Sequence, residues 1–126
     1  MANVVLSGGP IPGPMATFTP LSTWTDPAVG DLVILDTTAN YNVDECADGE
    51  LPTGIVRGVS RDLTELAVEL FTGGCIARLL ADTVAKGDAI SADRTAGAGY
   101  VDTDGVGIGV VVAINIVTGY ADVLFV

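Results

Sequence analysis

Carboxylates are the side chains most available for chemistry in this sequence. NVDECADGE gathers Asp44, Glu45, Asp48 and Glu50 in quick succession, and DTDG sets Asp102 beside Asp104. Such clusters could serve acid–base catalysis or hold calcium. An EF-type loop, however, needs oxygens at alternating positions, a central glycine and a distal bidentate glutamate. Neither stretch has that spacing, so both read as solvated loop tips, and no metal is expected. Histidine is absent, which removes Ser-His-Asp and Cys-His nucleophile pairs and zinc sites of the His-containing types. Cys46 and Cys75 cannot furnish a four-thiolate zinc site, and both are expected to be reduced and buried, with a disulfide between them as the alternative. GVGIGV leads into a β-like run rather than a helix, and no Walker-type lysine follows a glycine loop. No nucleotide or other cofactor is therefore indicated.

The elements that carry these residues are strands. The chain has 126 residues, enough for one domain, and 49% of them are hydrophobic. Val, Ile, Leu and Ala dominate, punctuated by glycine, a mix suited to short strands joined by tight turns. LVILD, TGIVRGVS and TELAVELF read as strands, and CIARLLADTVAKG reads as a strand through Leu80 followed by a turn or half-helix. Motifs also recur. GDLVILD (30–36) returns as GDAISAD (87–93), TGIVRGV (53–59) as VGIGVVV (106–112), and TELAVELF (64–71) as GYADVLFV (119–126). The fold class expected is mainly β: a compact β-sandwich or β-clip-like domain over 27–126, built of two pseudo-repeated units at about 27–75 and 84–126. Residues 1–26, with SGGPIPGPMATFTP at their centre, read as an extended Pro/Gly-rich N-terminal arm, because proline fixes φ and removes a donor.

Charge excludes several partners. Sixteen Asp and Glu against five Lys and Arg give a net charge of -11. Nucleic acid requires clustered cations, whereas Arg57, Arg61, Arg78, Lys86 and Arg94 are scattered; an anionic membrane is disfavoured for the same reason. MANVVLSGGP lacks the basic and apolar regions of a secretory signal. The longest apolar stretch, VGIGVVVAINIVTG, falls short of the roughly 20 residues a bilayer requires. A chain held in a cytosol until assembly or release is expected. The Val- and Ile-rich closing strands carry more apolar surface than one chain hides, so an oligomer is expected as well.

Two family resemblances follow from these stretches. VILDTTAN resembles the catalytic strand of retroviral-type aspartic proteases, in which an apolar run enters Asp-Thr-Gly and two chains pair their aspartates. Asp36 and Thr37 fit that pattern, but Thr38 stands where the family has glycine; the structural alternative is an aspartate that ends a strand. PAVGDLVILD, TGIVRGVS, AKGDAISAD and GVGIGVVVAINIVTGYADVLFV resemble the small capsid cement or head decoration proteins of tailed bacteriophages, over about residues 27–126.

The second resemblance implies a non-enzymatic structural protein on the outer capsid surface of the virion, made in the host cytoplasm. Its partners would be the phage major capsid protein, whose neighbouring subunits it clamps, and further copies of itself in a homotrimer. A preorganised arm loses little entropy on docking, and Pro10, Ile11, Pro12, Met15, Phe18 and Trp24 are its candidate capsid contacts. For Trp24 the alternative is a place in the protein's own core. A carbohydrate-binding or adhesion module displayed on a virion or cell is the alternative function, and the aspartic protease is a third.

Overall fold

A computed structural model describes residues 9–81, 83–103 and 107–126. Asp104, Val106 and residues 1–8 of the expected arm lie outside them. The described residues form ten strands and no helix: β1 (Met15–Pro20), β2 (Leu32–Asp36), β3 (Asn42–Glu45), β4 (Gly54–Val59), β5 (Leu66–Leu70), β6 (Ile76–Ala81), β7 (Ser91–Ala92), β8 (Tyr100–Asp102), β9 (Val110–Asn115) and β10 (Tyr120–Leu124). The mainly β class expected from the short, branched apolar runs is the class observed.

The first five strands close into a barrel in the order β1-β3-β2-β4-β5, and the last five form a sheet in the order β7-β8-β6-β10-β9. Their pairings correspond. β1 runs parallel to β3 and antiparallel to β5; β6 runs parallel to β8 and antiparallel to β10. β2–β3 and β4–β5 are matched by β7–β8 and β9–β10. An isolated Ile90–Ile108 bridge stands where the barrel has its β2–β4 ladder. The Gly-Asp turns also share their hydrogen bonds. Asp31 and Asp88 carboxylates accept the N–H groups of Ala28 (3.0 Å) and Ala85 (2.7 Å). The N–H groups of Gly30 and Gly87 donate to the carbonyls of Val56 and Val111, both at 2.8 Å. Both glycines sit at φ near +90° (97° and 92°), where a side chain is strained. The matched ladders run from Met15 to Leu70 and from Ile76 to Leu124, so their bounds differ from the 27–75 and 84–126 expected.

The expected arm is corrected in part. β1 lies inside residues 1–26 and pairs on both sides, closing the barrel, so the body begins well before residue 27. Proline permits this because Pro20 falls between two donors: Thr19 and Leu21 give their N–H groups to the carbonyls of Tyr41 and Val43, and no donor is required between them.

Two clusters fill the interior. Phe18, Trp24, Val33, Val43, Val56, Leu66 and Val68 fill the barrel. The second cluster packs Ala77, Leu79, Val101, Val111, Val123 and Phe125 of the second sheet against Leu32, Cys46 and Ile55. Successive strand residues face opposite ways. Leu32 and Ile55 therefore enter one core while their neighbours Val33 and Val56 enter the other, which explains why these strands are apolar without alternation.

Candidate docking surface

The NVDECADGE cluster is engaged in a turn and a seam. Glu50 caps the Ala47 N–H at 2.7 Å, Glu45 pairs with Arg94 at 2.9 Å, and Asp48 accepts the Thr95 N–H at 3.4 Å. With Gly49 and Glu50 bonded to the backbone of Ala92, this loop stitches the barrel to the second sheet. Among the described residues no three metal-ligating side chains gather. Asp36 Oδ2 accepts the Thr38 hydroxyl (2.5 Å) and the Asn42 amide (2.6 Å), and these bonds hold its carboxyl below the usual range. Both cysteines are buried and free of a disulfide, and the Cys46 thiol donates to the Glu50 carbonyl at 3.6 Å. Burial, with Glu50 nearby, pushes the Cys46 thiol up to about 12.

The six leader candidates divide. Phe18 and Trp24 are buried in the barrel core and leave the list of contacts. The reason is periodicity: Phe18 lies on the inward side of β1, and Trp24 caps the same interior. Trp24 Nε1 is buried there with no hydrogen-bond partner among the described residues. Pro10, Ile11, Pro12 and Met15 are exposed. Ile11 is fixed nonetheless, exchanging two backbone hydrogen bonds with Ile76 (2.9 and 2.8 Å). Gly13 donates to the buried carboxylate of Glu69 (3.1 Å), itself paired with Arg57 at 2.9 Å. A Cβ at Gly13 would fall on the Leu70 carbonyl, so glycine is required for this close approach.

The pinning of Ile11 extends a row across the second sheet. Ile11 faces Ile76, Ile76 faces Leu124, and Leu124 faces Val110. Residues directly opposite one another share a face. The next positions in register, Ala77, Val123 and Val111, are buried on the other face, so the aliphatic row lies outward. Beyond it Arg78 and Asp122 pair in two hydrogen bonds (2.8 and 3.0 Å); that bond to Asp122 raises the guanidinium pKa further. A bulge at Val112 shifts the β9–β10 register between Asp122 and Val123. Two clefts flank the hairpin. One, about 350 Å³, is lined by Arg78, Asp122, Asn115, Thr118, Tyr120, Ala113 and Ile114. The other, about 190 Å³, is lined by Ala81, Val84, Ile114, Asn115, Ile116, Gly119 and Tyr120.

No site candidate read from the sequence included Val110 or the hairpin residues Ile114, Ile116, Val117 and Tyr120. The signal was present: from Gly107 to Ala121 the chain carries no charge, in a protein with a net charge of -11. No protein-family model matches the chain, and a search of curated proteins finds no match either.

Proposed function

We propose that this protein is a structural component of a tailed-phage virion that binds the outer capsid surface and clamps neighbouring major capsid subunits, with no catalytic step. The observation that carries the reading is the outward aliphatic row Ile11–Ile76–Leu124–Val110 on an otherwise acidic chain. An exposed aliphatic row beside the Arg78–Asp122 pair supports a docking role. Its outermost member, Ile11, is held by the backbone before any partner arrives, so little order is lost on binding. The resemblance to head decoration proteins supplies the partner and the homotrimeric form, in which three weak docking rows act together. Pro10, Pro12 and Met15 extend the contact.

The test is occupancy on undecorated capsids, comparing wild type with Ile11→Ser/Val110→Ser at low and high salt. Both residues are partly exposed, so the fold survives, and occupancy is expected to fall about tenfold or more without dependence on salt. Equal occupancy, or binding abolished by salt alone, overturns the row as the dock. A glycan-binding module remains the second reading, favoured by the larger cleft, where Tyr120 stands beside the Arg78–Asp122 pair, Asn115 and Thr118. Micromolar binding on a glycan array, lost in Tyr120→Ala, would establish it.

A further inference from the structure

The larger cleft beside the hairpin has a counterpart on the barrel. The N–H groups of Gly30 and Gly87 bond the carbonyls of Val56 and Val111, which brings the two frames into step at those residues. Arg57 and Val112 are then the bulged residues at which each ladder shifts register. Thr17 faces Ala67, and Ala67 faces Gly58; Arg78 faces Asp122, and Asp122 faces Ala113. A bulge bends its strand and sharpens the local twist, and beside each one lies a cleft. Thr17, Gly58, Val59, Ser60, Glu65 and Ala67 line the barrel's, of about 290 Å³. Arg78, Ala113, Ile114, Asn115, Tyr120 and Asp122 line the other at the corresponding positions, in the same order, around about 350 Å³. The backbone makes the hollow in both places, and the side chains set the two apart.

The differences carry chemistry. Asp122 is buried to 8% exposure and holds Arg78 by two hydrogen bonds (2.8 and 3.0 Å), while the arginine side chain stays half exposed. A buried ion pair often stabilises a fold no better than well-packed apolar residues, and the barrel builds the same position from Thr17 and Ala67. The pair is thus not needed to hold the strands together. It sets guanidinium donors and carboxylate lone pairs side by side, next to the partly exposed ring of Tyr120, where the barrel has Glu65. We propose that this cleft is a saccharide subsite, in which Arg78 and Asp122 take adjacent hydroxyls of a neutral pyranose and Tyr120 stacks on its C–H face. The proposal rests on the glycan reading above and adds the ligand's class and the residues that recognise it. A sugar hydroxyl both donates and accepts, so neighbouring hydroxyls match a donor and an acceptor held together, and the C–H face of the ring matches the apolar body of tyrosine. Asn115, whose Oδ1 accepts the N–H groups of Val117 and Thr118, offers its Nδ2 as a further donor. Charge selects a neutral ligand, because Asp122 already neutralises Arg78 and a chain of net charge -11 repels anions.

The experiment records amide NMR spectra of the isotope-labelled full chain during titration with the methyl glycosides of glucose, galactose and mannose. Arg78 stands two residues from Ile76 of the aliphatic row on β6, so the protein is used free of capsids. At least one glycoside is expected to shift the amides of Arg78, Tyr120 and Asp122 saturably, with a Kd on the order of 1 mM. Tyr120→Ala removes the ring, and Arg78→Lys keeps the charge but loses the planar fork; each should weaken binding about tenfold. Glu65→Ala, at the corresponding position of the barrel cleft, should leave binding unchanged. The same spectra report whether each variant is folded. No saturable shift with any of the three glycosides, binding that survives both cleft variants, binding lost in Glu65→Ala, or tighter binding of a sialylated or sulfated glycoside overturns the inference. Glycan-array binding that is lost in Tyr120→Ala, with no shift from the methyl glycosides, overturns the neutral pyranose alone; absence of both removes the glycan reading with it. Neither result bears on capsid docking.

Discussion

Replacing Trp24 separates a barrel-core residue from a docking residue. It is buried to 6% exposure among Phe18, Val33, Val43, Val56, Leu66 and Val68. Truncating a buried tryptophan to alanine costs about 3 to 5 kcal/mol, transfer and cavity together. With an unfolding entropy of roughly 2.1 cal/mol/K per residue, that loss lowers the Tm of a 126-residue chain by about 11 to 19 °C. Trp24→Phe behaves differently. It keeps most of the ring and removes an indole N–H that is buried without a partner among the described residues, a burial that costs about 1 to 3 kcal/mol. The gain offsets much of the lost area, and Tm should shift by only a few degrees. Thermal unfolding followed by circular dichroism reads both variants, since Trp24 is the sole tryptophan and its replacement removes the fluorophore. In the wild type its emission should be blue-shifted and shielded from acrylamide. A Trp24→Ala variant that melts within two or three degrees of wild type, or a wild-type emission typical of exposed indole, would refute its place in the barrel.

Other outcomes follow from the same contacts. Gly13→Ala forces a Cβ onto the Leu70 carbonyl; it should lower stability by about 1 to 3 kcal/mol in urea titration and weaken capsid occupancy by displacing Ile11. Hydrogen bonds from Thr38 and Asn42, and from Thr64 and Ser60, lower the folded-state pKa values of Asp36 and Asp62 below 3.8. Their contribution is thus complete above that value and lost as pH falls through the folded-state values. The Asp36→Asn/Asp62→Asn variant should accordingly show a shallower fall of Tm below about pH 4 than wild type, and identical slopes would contradict the assignment. Cys46, with its thiol near 12, and the buried Cys75 should react with a disulfide reagent at pH 8 only after denaturation; rapid labelling of the native protein would show them exposed.

Much of the strand pattern was legible because branched apolar runs end in Gly, Asp or Asn. LVILD, TGIVRGV and TELAVELF became β2, β4 and β5, and CIARLLA became β6, the strand read through Leu80. β3 was not legible: NVDE is polar, and it is a strand because β1 and β2 flank it on either side. β1 was read as arm because its prolines were weighed as breakers, although Pro14 and Pro20 bracket the strand and do not interrupt its ladder to β5. In the candidate site Ile11 was found by its exposed apolar character among prolines. Its partners in the row could not be, since their alignment depends on registers set by strands distant in sequence. Phe18 and Trp24 carried the same apolar signal as Ile11, and only their side of the chain distinguishes them.

The sharing of β2 and β4 between two cores bears on how the molecule yields. Leu32 and Ile55 belong to the second cluster while Val33 and Val56 belong to the first. Pulling the barrel open therefore strips a wall from the second sheet in the same event. Units with separate cores would give way at the joint between them, like beads parting on a string; strands that serve both cores predict instead a single all-or-none transition. Circular dichroism and Trp24 fluorescence should accordingly report one coincident melting transition, and separate midpoints would show the barrel and the second sheet yielding independently.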